Sequence, residues 1–168
     1  MSQLKSRKPL RLPNYDYSSA GYYFITICVK DGHELLGKIA GGGDLDAPRI
    51  ELSEIGEIVE KYILLTNERH GHIKIDKFVI MPNHINLISV VLGGTSRSPS
   101  PTSARIPMFV SMLKKFVNKD CGFSIWQRGY HDHIIRNEQE YKQIWKYIDE
   151  NPQKWESDEY FNRNNGEM

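Results

Sequence analysis

The sequence lacks most of the features that would place a protein outside the cytoplasm. Its 168 residues include two cysteines, Cys28 and Cys121, which form neither a Cys-x-x-Cys motif nor a zinc-ligand spacing. We find no signal peptide and no apolar run long enough to cross a bilayer. We therefore expect a reduced, soluble, cytoplasmic protein that does not engage membranes.

An excess of charge of either sign is also missing. Lys and Arg number 22 and Asp and Glu number 21, so the formal net charge is +1. A nucleic-acid surface on such a chain has to be a local basic patch. With 39% hydrophobic residues, the chain has the size and content of one domain with a real core. We expect a single domain over residues 1–168.

Apolar patterns in the first half predict a strand, a helix and then two further strands. The run YYFITICV predicts a strand at about residues 22–30, and Ser53 can cap a helix that begins at LSEIGEIVEKY. The runs IKIDKFVIM and HINLISVVL flank the turn signal Pro82–Asn83, which predicts a hairpin.

The second half predicts a helix, an extended segment and a last helix. The run IPMFVSMLKKFVNKDCG has helical spacing, and FSIWQRGYHDHIIR is typical of extended chain. Asn137 with Glu140 resembles a capping box that opens the last helix, and Asn151–Pro152 should end it. The element order favours an α+β, ferredoxin-like sandwich, in which a central antiparallel sheet carries packed helices.

Two segments carry no regular pattern. The opening residues RKPLRLPNYDYSSAG are basic and interrupted by proline, which predicts an irregular N-terminal segment. The stretch at 93–104 is rich in Gly, Ser, Pro and Thr and is predicted to be a mobile loop.

Two pairs of polar side chains point to chemistry. In MPNHINLISVV, His84 and Asn86 lie two residues apart on a predicted strand and therefore share one face. In the last helix, Tyr147 and Asn151 lie one turn apart on roughly the same side. Taken alone, a tyrosine at a helix edge is usually structural, and an asparagine before proline usually ends a helix.

Three blocks in order, MPNHINLI, WQRGYHDHIIR and YIDENPQKW, resemble the HUH single-tyrosine transposases, especially the REP-associated tyrosine transposases. The strand motif of that family is Met-Pro-Asn-His, a hydrophobic residue and a second His. Its late helix carries Tyr-Ile-x-x-Asn-Pro. The resemblance covers nearly the whole chain, and the ordered set of three blocks is more specific than any single block.

The resemblance implies an enzyme that cleaves and rejoins single-stranded or hairpin DNA. Tyr147 matches the nucleophile, which becomes a 5′-phosphotyrosine, and His84 and Asn151 match ligands of a divalent metal, Mg²⁺ or Mn²⁺. Asn86 occupies the position of the second metal-binding His. An amide keeps a possible oxygen ligand and gives up a good nitrogen donor.

The Asn86 departure leaves an alternative function open. In this alternative, the chain is a noncatalytic protein that binds hairpin or single-stranded DNA and descends from such a transposase. A third possibility, unrelated to the family, is a metal-dependent phosphodiesterase that uses His131 and His133.

Further residues and partners follow from the resemblance. His133 matches a position that supports the site in the family, and some relatives act as dimers, so a homodimer is expected here. Candidate phosphate-binding residues are Lys114, Lys115, Arg128 and Arg136.

Overall fold

The computed structural model describes residues 20–93 and 105–161. The predicted irregular N-terminal segment, apart from its last residues, and the predicted mobile loop, apart from Gly93, lie outside these residues. The strands are β1 (Gly21–Cys28), β2 (Gly37–Ala40), β3 (Arg49–Leu52), β4 (Ile73–Met81), β5 (His84–Val91) and β6 (His131–Ile135). The helices are α1 (Glu54–Arg69), α2 (Arg105–Cys121) and α3 (Glu138–Glu150), and short 3-10 helices cover Lys30–Gly32 and Asn151–Ser157.

The central sheet has the strand order β4-β5-β1-β6 and is antiparallel throughout. Its strands alternate with helices along the chain in the order strand, helix, strand, strand, helix, strand, with α3 added at the end. This order and pairing are those of a ferredoxin-like sheet, so the predicted α+β fold class is confirmed.

The two faces of the sheet carry different helices. On one face, Tyr23 and Ile25 of β1 join Ile85 and Leu87 of β5 in a core that is covered by α1 and α2. The opposite face of β1 and β5 carries residues of even number, because successive side chains of a strand alternate. There α3 packs on the sheet and contributes the buried Ile148. His84 and Asn86 therefore lie on the α3 face.

The start of α1 is fixed by a cap and by a close backbone contact. Ser53 Oγ accepts a hydrogen bond from the Gly56 backbone N–H at 3.1 Å and donates one to the Leu35 carbonyl at 2.5 Å. A Cβ added at Gly56 would lie 2.0 Å from the Leu36 carbonyl oxygen. The predicted cap is confirmed, and glycine at position 56 allows α1 to approach the preceding chain.

A bulge interrupts β4. The pairing register with β5 shifts between Ile75 and Lys77, so Asp76 is an extra residue. Asp76 and Lys77 both reach α3, where Asp76 accepts a hydrogen bond from the Tyr141 hydroxyl and Lys77 pairs with Asp149 at 2.5 Å. The bulge therefore ties the edge strand to both ends of α3.

Two sequence predictions need correction. The hairpin of β2 and β3 lies where only a loop around GGGDLDAP was expected, because its strands are four residues long. In the segment predicted to be extended, only His131–Ile135 forms a strand, and Trp126 makes an isolated bridge with Val29. By contrast, the predicted end of the last helix at Asn151–Pro152 is confirmed, since α3 ends at Glu150 and a separate 3-10 helix follows over Asn151–Ser157.

Within the residues that the structure describes, no helix is both long enough and apolar enough to span a membrane.

Candidate active site

Asn83 determines which nitrogen of His84 carries the proton. Asn83 Nδ2 donates to the carbonyls of Gly32 and Tyr160 at 3.3 and 3.1 Å, which leaves Asn83 Oδ1 facing His84 Nδ1 at 2.9 Å. Because that oxygen can only accept, His84 Nδ1 is the donor. His84 Nε2 is consequently an unprotonated nitrogen with a free lone pair.

The surroundings of His84 keep the ring neutral. Its side chain is fully buried, and the rings of Tyr160 and Trp155 lie at centroid distances of 4.5 and 6.0 Å. Burial lowers the pKa of His84 to about 3. Nε2 is itself buried and has no hydrogen-bond partner in the described ranges. A neutral imidazole with a free lone pair can bind a metal ion or accept a hydrogen bond.

Asn86 is oriented by the neighbouring strand. Thr26 lies directly opposite Asn86 in the pairing of β1 with β5, and Thr26 Oγ1 donates to Asn86 Oδ1 at 2.7 Å. The amide nitrogen is thereby turned away from the Thr26 hydroxyl. Asn86 is fully buried, and its Nδ2 has no partner within residues 20–93 and 105–161.

Tyr147 of α3 lies beside Asn86 of β5. Its ring packs edge-on against Phe24 of β1, with centroids 5.9 Å apart, and 40% of the residue remains exposed. Asn151, one turn later, is buried. The carboxamides of Asn151 and Asn86 both lie beside the Tyr147 hydroxyl and act to lower its pKa, although neither Nδ2 makes a hydrogen bond of normal geometry. The structure thus brings together the strand and helix residues that the sequence singled out.

Other influences on the Tyr147 hydroxyl are stronger. Burial raises the pKa of Tyr147, and the negative charges of Asp158 and Glu159 raise it further, against the opposing effect of the two amides. The phenol is therefore protonated at neutral pH. A nucleophilic role requires a proton acceptor, or positive charge that arrives with the substrate.

The side-chain atoms available as metal ligands are a poor fit to a divalent cation. His84 offers one ready ligand atom, whereas Asn86 and Asn151 are neutral amides and the Asn86 oxygen already accepts from Thr26. Across the described part of the chain, no group of three or more His, Cys, Asp or Glu side chains is placed to hold a metal ion. Mg²⁺ in particular prefers carboxylate and phosphate oxygens. These side chains do not form a complete site, and Mg²⁺ or Mn²⁺ remains a prediction of the resemblance.

The proposed phosphate-binding lysines lie away from this centre. Lys114 is on α2, whose buried residues pack on the opposite face of the sheet, and its ammonium donates to the backbone carbonyls of Gln127 and Gly129. Burial lowers the pKa of Lys114. Lys114 thus holds the loop that contains Arg128, whereas Lys115 and Arg128 are themselves exposed.

His133 and the Arg136 backbone both contact Glu140, in the first turn of α3, which is distant from Tyr147. His133 Nε2 contacts Glu140 Oε1, and the Arg136 backbone N–H donates to Glu140 Oε2 at 2.8 Å. Glu140 precedes Tyr147 by seven residues, or roughly 10 Å along the helix axis. His131, the other residue of the suggested phosphodiesterase pair, is exposed on β6.

Three residues near the site were missed from the sequence. Asn83 was assigned only to a turn, Thr26 was only part of a strand, and Asp158 follows the point where the last helix was expected to end. Thr26 could be found only from the strand register, since it lies 60 residues from Asn86. Asp158 becomes a neighbour of Tyr147 because the 3-10 helix returns the chain toward α3.

Comparisons with known proteins identify a relative and a shared fold. No protein-family model matches the chain. An uncharacterised protein of Haemophilus influenzae is 34% identical over 174 residues, which cover 92% of this chain and 93% of that protein. The solved structure of a REP-associated tyrosine transposase bound to a REP hairpin aligns with a TM-score of 0.56 and 21% sequence identity, over 92% of this chain and 74% of that chain.

The fold is that of the REP-associated tyrosine transposases, and the resemblance predicted from the sequence is confirmed at the level of the fold. The chain belongs to the same protein family as the Haemophilus influenzae protein.

Proposed function

We propose that this chain binds single-stranded or hairpin DNA and that Tyr147 cleaves and rejoins it through a 5′-phosphotyrosine. The observation that carries the proposal is the meeting of the half-exposed Tyr147 with the buried Asn86 and Asn151, next to the neutral His84. The transposase of similar fold was solved with a bound REP hairpin, which supports DNA of this type as the substrate.

The proposed reaction is a substitution at phosphorus. The Tyr147 oxygen forms a bond to phosphorus while the bond from phosphorus to the 3′-oxygen breaks, and the phenol proton passes to water as the 3′-oxygen gains one. Attack by the released 3′-hydroxyl on the phosphotyrosine reverses these changes. No nucleotide cofactor is required, because the tyrosyl phosphodiester retains the energy of the broken bond.

A second candidate function is DNA binding without cleavage. It is favoured by the raised pKa of Tyr147 and by the neutral amide of Asn86 in the position of an imidazole. A raised pKa disfavours the phenolate nucleophile, and an amide is a weaker metal ligand than an imidazole.

One experiment separates these functions. A labelled hairpin oligonucleotide with a single-stranded tail is incubated with the protein and Mn²⁺, and a covalent adduct is sought on a denaturing gel. We expect an adduct with the wild type and with Tyr62→Phe, whose hydroxyl lies on α1 and hydrogen-bonds Asp120. Tyr147→Phe should form none, while its DNA affinity stays within a fewfold, since only a hydroxyl is removed.

An adduct of full yield from Tyr147→Phe would refute the nucleophile assignment. Tight binding by all variants with no adduct would establish the noncatalytic function. Absence of DNA binding by the wild type would refute both.

A further inference from the structure

We infer that Asn86 and Asn151 bind the non-bridging oxygens of the scissile phosphodiester through their amide N–H groups, and that Asn86 acts as a hydrogen-bond donor rather than as a metal ligand. The inference rests on the proposed function and deepens it. It assigns to Asn86 a role that differs from that of a replaced histidine.

The orientation of Asn86 is the first step. A carboxamide has one end that accepts hydrogen bonds and one that donates them. Thr26 Oγ1 occupies the accepting end at 2.7 Å, across the strand pair that joins β1 to β5. The side chain therefore presents its donor end, Nδ2, on the side of the amide away from Thr26.

The unpaired donors are the second step. Asn86 and Asn151 are 0% and 2% exposed, and the Nδ2 atom of each makes no hydrogen bond of normal geometry among the described residues, although both lie beside the Tyr147 hydroxyl. Buried donors without partners are unfavourable for a folded protein, so their presence in a native site calls for an explanation. An acceptor that arrives with a ligand supplies one.

The position of Tyr147 identifies that acceptor. Both carboxamides lie beside its hydroxyl. In a 5′-phosphotyrosine, phosphorus is bonded directly to this oxygen, so the two non-bridging oxygens are held next to the same hydroxyl position. Neutral donors fixed where negative charge develops stabilise a phosphoryl transition state without reorganising. Two amide donors beside the nucleophile thus match the charge of the reacting group.

Replacement of Asn86 by aspartate gives opposite results for the two roles. Asn86→Asp keeps the shape and the acceptor for Thr26, but it exchanges the donor for an anionic oxygen. A metal-ligand role predicts tighter Mn²⁺ binding and retained cleavage. A donor role predicts repulsion of phosphate, with weaker DNA binding whether or not metal is present.

The measurement uses a fluorescein-labelled hairpin oligonucleotide with a single-stranded tail, and all variants carry Tyr147→Phe to prevent cleavage. Affinity is measured by anisotropy in EDTA and in Mn²⁺, and Mn²⁺ binding to the free protein by calorimetry. We expect Asn86→Asp to lose about tenfold or more in DNA affinity in both buffers, as for one lost charge-assisted hydrogen bond. Gln143→Glu, which adds the same charge at an exposed position of α3, should change affinity less than threefold.

Thr26→Val provides a test without added charge, in case the buried carboxylate of Asn86→Asp prevents folding. Loss of the hydroxyl frees the Asn86 amide to rotate. The donor role predicts a severalfold loss of DNA affinity in EDTA and unchanged Mn²⁺ binding. The ligand role predicts improved Mn²⁺ binding, because Oδ1 is released.

The outcomes separate the donor role from the proposed function. DNA affinity that is unchanged in folded Asn86→Asp, or tighter Mn²⁺ binding in Thr26→Val, would overturn the donor role while DNA binding by the wild type still supports the proposed function. A wild type that binds no oligonucleotide would overturn both.

Discussion

At the scale of single residues, the site depends on side chains that orient other side chains. Asn83 fixes the tautomer of His84, and Thr26 fixes the direction of the Asn86 amide. Neither residue carries a chemically reactive group. Each of them occupies one polar atom of its neighbour with a hydrogen bond and thereby determines which other atom of that neighbour is left free.

Asp158 should control the acidity of Tyr147. Its negative charge raises the pKa of Tyr147, and Asp158 is itself half-buried, with its own pKa raised by burial. Asp158→Asn removes a charge that opposes the phenolate, so the pKa of Tyr147 should fall. The measurement is an NMR titration of protein labelled at the tyrosine ring carbon, with Tyr147→Phe used to assign the resonance.

Glu156→Gln is the matched control for Asp158→Asn, because Glu156 is an exposed acid in the 3-10 helix that Asp158 follows and does not contribute to the Tyr147 shift. A Tyr147 pKa that stays the same in Asp158→Asn, or moves equally in both variants, would show that Asp158 does not act on the phenol.

At the scale of elements, strongly patterned segments were predictable and packing-dependent details were not. The hairpin at Pro82–Asn83 and the cap at Ser53 follow from local rules, and both are present. The bulge at Asp76 was not visible, because the alternation in IKIDKFVIM gives no sign of an extra residue. The convergence of Tyr147 with Asn86 was expected from the family resemblance, whereas the direction of the Asn86 amide depends on strand register.

The predicted capping box of α3 is only half formed, and its acid acts elsewhere. Asn137 Oδ1 accepts from the Glu140 N–H at 2.8 Å, but the Glu140 carboxylate binds the Arg136 N–H and contacts His133. The hydrogen bond from the Arg136 N–H, and to a lesser extent the contact with His133, lowers the pKa of Glu140 below its ordinary value of 4.5.

A depressed carboxyl pKa stabilises the folded state above the ordinary value, and this contribution disappears as pH falls through the folded-state value. Glu140→Gln should therefore lower the melting temperature at about pH 7, and the difference from the wild type should shrink as the pH falls below the ordinary value. Thermal melts by circular dichroism across this range check the expectation. Glu138→Gln, which breaks an exposed pair with Lys142, should change the melting temperature little at any pH; an equal effect would contradict the role of Glu140.

The contact between α1 and the chain before it should not tolerate a methyl group. In Gly56→Ala the new Cβ would lie 2.0 Å from the Leu36 carbonyl oxygen, so helix or backbone has to move. We expect a loss of about 3 kcal/mol in the free energy of unfolding, at the upper end for overpacking. Urea unfolding measures it, and Gly71→Ala, where the Cβ would meet nothing within 4 Å, is the control. Equal stabilities would show that this packing is loose.

At the scale of the whole molecule, the site is assembled within one chain. Tyr147 of α3 meets Asn86 of β5 and Asn151 of the same chain, and Lys77 and Asp76 hold α3 on the sheet. The homodimer remains a prediction. Because Tyr147 lies beside Asn86 of its own chain, we expect it to act in cis.

Mixing two inactive variants tests cis action. Tyr147→Phe lacks the proposed nucleophile and His84→Ala lacks the imidazole, so we expect each alone to form little adduct. If tyrosine and imidazole act within one chain, an equimolar mixture should yield no more adduct on a denaturing gel than its components do. Adduct restored in the mixture would mean that one chain supplies Tyr147 to another chain's His84. Wild type diluted with an equal amount of Tyr147→Phe is the control, and it should retain about half of the wild-type yield.

Asp76 also determines which residues of β4 face the core under α1 and α2 and which face α3. Ile75 before it and Phe78 after it both pack toward α1 and α2, although Phe78 is an odd number of positions, three, further along the strand, because Asp76 and Lys77 together fill one step of the pairing. Deletion of Asp76 would leave both residues on their present face and produce a regular strand. Deletion of Val79 would exchange the faces of every residue that follows in the strand. Deletion of residue 76 would therefore loosen α3 and Tyr147 but leave the core residues in place. A one-residue change of length elsewhere in β4 would exchange the faces of the residues that follow, so that part of the strand can be grafted into another protein only in its original length.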